Sequence, residues 1–103
     1  MTAYEFTRFE ADYTSKVRAR EYDADMLASL LIQRNPNKNL REQKEYKDAD
    51  FMFFEVIQSC DRQEARGWLQ YFMANAIAYG LSTHDTDWGY FFLVAYDMLK
   101  ELR

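Results

Sequence analysis

His84 is the single histidine of the chain, and it sits in Ser82-Thr83-His84-Asp85-Thr86-Asp87. An imidazole and two carboxylates so close together are the raw material of a metal site or a hydrolytic relay. Neither chemistry follows from this spacing. A triad is assembled by the fold from side chains that face one another, and there is no Gly-x-Ser-x-Gly elbow to present a serine. A metal ion needs further ligands, and no second cluster is evident from spacing. The grouping reads as a helix-capping loop with an exposed histidine.

Cys60 is the lone cysteine and the other candidate nucleophile. It follows Phe53 and Val56 on an apolar stripe, which reads as a buried, inert thiol belonging to the core. Carboxylates at helical spacing, Glu21 with Asp25 and Glu42 with Glu45, suggest an acid-base or di-metal pair. The di-metal bundle pattern requires Glu-x-x-His on two helices, and one histidine excludes it. These pairs read as solvated faces. Neither Gly-x-x-x-x-Gly-Lys-Ser/Thr nor Gly-x-Gly-x-x-Gly occurs, so no standard phosphate-cradling loop is present. The expectation is a chain with no catalytic residue, no cofactor and no metal.

The elements that would position these residues are helical. Three glycines and one proline leave few places for loops. Thr2 with Glu5, Asn39 with Glu42 and Asp61 with Glu64 each pair a short polar cap with a Glu three residues on, a signature of helix starts. From Thr2 the apolar positions run Phe6, Phe9, Tyr13, Val17, Ala24, Leu27 and Leu31 by threes and fours, interrupted at Arg20; this reads as one long helix, with a break near Thr14-Ser15 as an alternative. Asn35-Pro36-Asn37 ends it. A second helix starting near Asn39 carries Tyr46, Ala49, Phe53, Val56 and Cys60, with Phe54 and Ile57 widening the face. A third, from Asp61, carries Ala65, Leu69, Phe72, Ala76 and Tyr79, with Trp68 and Met73 alongside, and Gly80 is placed to close it. The last, capped by Asp85 or Asp87, carries Phe91, Ala95, Met98 and Leu102. Tyr90 to Tyr96 would also pass for a buried strand, but the apolar pattern continues at helical spacing through Leu102. The predicted fold class is all-α: one domain over 1–103, a compact bundle of about four helices, the first long, with short connections.

Composition narrows the function classes. A chain of 103 residues suits one domain. Its longest apolar run, Tyr90 to Tyr96, is far short of the roughly 20 residues a membrane span needs. The start, MTAYEFTRFEADY, has no basic flank before an apolar stretch, and with a lone cysteine this leads to an expected cytoplasmic location, the host cytoplasm for a phage-encoded protein. The net charge is −4, yet Arg34, Lys38, Arg41, Lys44 and Lys47 oppose only Glu42 and Glu45 in their window. The acidic remainder disfavours broad phosphate binding and suits a basic protein surface.

Eighteen residues are Phe, Tyr or Trp, more ring surface than one small core readily encloses. Phe51-Met52-Phe53-Phe54 and Trp88 to Tyr96 point large groups all round their helices. Some of Phe51, Met52, Tyr90 and Phe92 therefore either meet a long neighbouring helix or lie exposed. The expected function is a non-enzymatic protein-binding module with anchors Trp88, Tyr90 and Phe51 and an acidic border of Asp48, Asp50, Asp85 and Asp87. The expected partner is a protein with a basic surface, and self-association into a homodimer stands beside it. By class-level analogy alone, such proteins include anti-CRISPR-like phage blockers of bacterial defence and toxin-immunity proteins, which occlude a basic nucleic-acid groove. The alternative is a small nucleic-acid-associated or regulatory protein using Arg34, Lys38, Arg41, Lys44 and Lys47.

Overall fold

Pro36 cannot donate to a helix, and the first helix described stops just before it. The computed structural model describes residues 23–83 and 87–102. Helix α1 spans Ala24–Gln33, and Asn35 folds back at its end to donate from Nδ2 to the Leu31 carbonyl at 2.8 Å. Its start differs from the continuous stripe read in the sequence. Asp23 has extended backbone, and its carboxylate accepts from the Met26 N–H at 3.1 Å. A short acidic side chain that caps free N–H groups starts a helix here instead of letting one run through. The stripe from Phe6 to Val17 and the Thr2 cap lie outside the described residues.

Asn39 does cap, but the segment it opens is a 3-10 turn, Leu40–Glu42, and not yet an α-helix. Gln43 then adopts extended backbone and leads into α2, Lys44–Ile57. The Asp61 cap forms as expected: its carboxylate accepts the Glu64 N–H at 2.8 Å at the head of α3, Arg62–Thr83. That helix passes through Gly80 without stopping. Glycine permits a stop but costs only about 1 kcal/mol inside a helix, too little to force one. The last helix, α4, spans Trp88–Glu101, which settles Tyr90 to Tyr96 as helix; no strand forms among the described residues. Asp87 precedes α4 in helical backbone and makes no side-chain cap, because a carboxylate already inside the turn does not reach the free N–H groups ahead of it. Asp85 lies outside the described residues.

Helix α4 is the centre of the molecule. It packs on α3 most extensively, then on α2, on α1 and on the 3-10 turn. Trp88, Gly89, Tyr90, Phe92, Leu93, Val94, Ala95 and Met98 are all buried, and at roughly 100° per residue they cover its whole circumference. A helix apolar all round belongs inside, and each large side chain so enclosed contributes about 2 kcal/mol. The α1 contact is close: a Cβ built on Gly89 would stand 3.1 Å from Leu31 Cδ2, so a glycine lets the two helices meet there.

Polar ties fix the outer pieces to this axis. Arg41 on the 3-10 turn donates through Nε and Nη2 to the Asp97 carboxylate of α4 at 2.8 and 3.0 Å. The Tyr46 hydroxyl of α2 donates to the same carboxylate at 2.7 Å. At the other flank Asp25 of α1 accepts from the Tyr96 hydroxyl and pairs with Lys100 at 3.7 Å. Among the described residues, no helix is long and apolar enough to cross a membrane.

Candidate functional site

Of the expected anchors, only Phe51 reaches solvent. It is 65% exposed, whereas Trp88 and Tyr90 are each 6% exposed and Phe92 is 0%. The placement of Trp88 and Tyr90 on a binding face is therefore corrected: both are core, because three helices and a turn surround α4. Asp48 and Asp50 are exposed beside Phe51 on α2, and Asp87 is exposed at the head of α4. His84 and Asp85 lie outside the described residues.

The exposed surface is larger than the sequence suggests. Helix α2 buries one narrow row, with Ala49 and Phe53 enclosed and Tyr46 and Ile57 partly so. At about 100° per residue Phe51 points some 160° away from Phe53. Phe54, read as widening the buried face, is 53% exposed, and Met52 and Val56 are exposed too. The arc is interleaved with Asp48, Asp50 and Glu55, all exposed. Near Phe54 it opens into a cleft of about 470 Å³ at the α2–α3 turn, lined by Ile57, Cys60, Ala65 and Leu102 and rimmed by Asp61 and Glu101.

A second group of exposed rings lies on α3. Phe72 stacks on the buried Phe53 with centroids 4.3 Å apart. Trp68 leans on Phe72 at 5.8 Å and meets Tyr71 edge-on at 5.9 Å. Trp68 and Tyr71 are exposed, each with one ring edge or face against a neighbouring ring. Sequence spacing puts Trp68 beside the core and gives Tyr71 no role. The available signal is the i, i+3 pairing of two large rings on the side opposite Leu69 and Met73.

Cys60 is not the enclosed thiol expected. It is only partly buried, and its Sγ donates weakly to the Val56 carbonyl at 3.5 Å. The physical reason is that α2 ends at Ile57, so the stripe extrapolated to Cys60 continues into a turn. Val56 and Tyr79 also miss the buried faces expected of them.

The basic window does not form one row. Arg41 is separated from Lys44 and Lys47 by the extended Gln43, and its guanidinium is engaged by Asp97, whose hydrogen bonds raise the Arg41 pKa. Lys38 stands 5.7 Å over the Tyr90 ring, and a hydrogen bond with that tyrosine raises its pKa. Arg34, Lys44 and Lys47 are exposed. Burial, then the Asp97 carboxylate, pushes the Tyr46 phenol well above its ordinary range. The Glu64 N–H holds Asp61 below the usual carboxylate range, and the Asp61 carboxylate in turn raises Glu64. Each of these shifts belongs to a cap or a tie between elements. None places an activated base beside a nucleophile.

Among the described residues no group of three or more His, Cys, Asp or Glu side chains is placed to hold a metal ion. The outer surfaces of α2 and α3 present exposed rings, a thioether and carboxylates. No protein-family model, curated protein or solved structure matches the chain.

Proposed function

We propose that this protein is a non-enzymatic binding module whose contact face is the outer arc of α2. The observation that carries this is the exposure of Phe51, Met52 and Phe54 together on one helix, between the exposed carboxylates of Asp48, Asp50 and Glu55. Scattered apolar residues are normal on a surface, but a contiguous set bordered by charge marks association. From Asp48 to Asp61 the chain has four carboxylates and no Lys or Arg, so the preferred partner is a protein with a basic rim around an apolar hollow. Carboxylates seated in a basic groove exclude nucleic acid from it, and inhibition by occlusion is the expected action, as in phage-borne blockers and toxin-immunity proteins. The cytoplasm is the expected site of that action.

The test is a photo-reactive phenylalanine analogue placed at Phe51, compared with one at the exposed Gln70 of α3. The expected result is a heterologous adduct in host cells from position 51 alone. The captured protein should lose nucleic-acid binding when the wild-type chain is added, and keep it when the Asp48→Lys/Asp50→Lys variant is added. Absence of any heterologous adduct from position 51, or a captured protein unaffected by the wild-type chain, defeats the proposal.

A further inference from the structure

The outer arc of α2 carries an ordered charge pattern as well as apolar surface. Lys47, Phe51 and Glu55 are four residues apart and all exposed. That spacing makes a single row along the helix, with Phe51 at its centre and opposite charges about 6 Å along the axis to either side. Phe51 is the most exposed of the large apolar side chains described. Lys47 and Glu55 make no ion pair among the described residues. A row that reads base, ring, acid in one direction reads acid, ring, base in the other, so it is complementary to itself when reversed.

We propose that a second copy of this chain docks on the outer arc of α2, antiparallel, with the two-fold axis passing at Phe51. The two Phe51 rings then pack together, and each Lys47 faces Glu55 of the other copy. Met52 and Phe54 flank the row and widen the apolar contact. A two-fold pairing needs only one patch, provided that patch is self-complementary. A uniformly basic surface answers Glu55 but meets Lys47 with like charge, whereas a reversed second copy answers both ends of the row. The inference shares with the proposed function only the openness of this face. It adds a regulation: self-pairing covers the face until a heterologous partner competes for it.

Sedimentation equilibrium of the purified full chain tests this without any heterologous partner, so its failure is distinct from failure of the functional proposal. At about 100 µM the expected species is a dimer of the 12.4 kDa chain. Lys47→Glu and Glu55→Lys, made singly, should each weaken dimerisation by about tenfold or more, because each sets like charges face to face. The two together should restore it to within about threefold of wild type, because the pairs are re-formed with reversed polarity. Phe51→Asp should give a monomer with an unchanged circular dichroism spectrum, since the side chain it replaces is exposed. A wild-type chain that sediments as a monomer throughout overturns the proposal. So does a dimer indifferent to the single reversals, or a double reversal no tighter than either one.

Discussion

Residues 51–54 of α2 and 88–96 of α4 are both apolar on every side, and they have opposite fates. Three of the four α2 residues face solvent, while α4 is enclosed on all sides through Ala95 and again at Met98. The difference lies in their neighbours. Phe51 to Phe54 stand between Asp48, Asp50 and Glu55, and those carboxylates cannot leave water without partners. Trp88 to Tyr96 runs nine residues with no charge, so nothing opposes complete enclosure. A large apolar side chain takes the environment that the whole turn can tolerate. Charge spacing, more than hydrophobicity, separates the central helix from the exposed one.

Substitution of one ring in each region tests that contrast most strongly. Phe92→Ala should lower stability by about 3–5 kcal/mol in urea unfolding, since it opens a cavity in a filled core. Phe51→Ala should change it by less than about 0.5 kcal/mol. Comparable losses at the two sites would erase the distinction. The next effect concerns the polar tie that seats α2 and the 3-10 turn on α4. Asp97→Ala should cost about 2 kcal/mol by leaving Arg41 and Tyr46 without their acceptor, and Tyr46→Phe about 1 kcal/mol. If Asp97→Ala proved neutral, apolar contact alone would hold α2 in place.

A smaller effect is readable by pH. The Tyr46 pKa is raised above its ordinary 10.0, so its contribution to stability is whole below that value and is lost as pH rises through the folded value. Stability curves of wild type and Tyr46→Phe should therefore converge at strongly alkaline pH, and a constant gap would show that the phenol does not titrate with unfolding. The smallest change is a gain. Gly67 is exposed within α3 and a Cβ there meets nothing within 4 Å, so Gly67→Ala should stabilise by about 0.5–1 kcal/mol in the same assay. A loss would mean that this face of α3 is already covered.

Much of the candidate site is legible in the sequence, though not its full membership. Spacing places Phe51, Asp48 and Asp50 together, and they are exposed together. Trp88 and Tyr90 go to the core because a count of rings does not say which helix is central. Trp68 is read as a neighbour of the core and Tyr71 gets no role, because an exposed ring and a core ring have the same type and nearly the same period. Phe54 leaves the interior because the buried face of α2 is only as wide as its neighbours make it.

What the sequence determined by itself was local. Pro36 ends α1, Asp61 caps α3, and the period of apolar residues makes 90–96 a helix, because capping, ring closure and helical spacing act within a few residues. Only the tertiary structure decided that α4 is the axis, that Arg41 is bound to Asp97 and that the rings of α2 remain in water. Those outcomes depend on which surfaces meet across fifty or more residues of chain, as between Arg41 and Asp97, and no local preference encodes the choice among them.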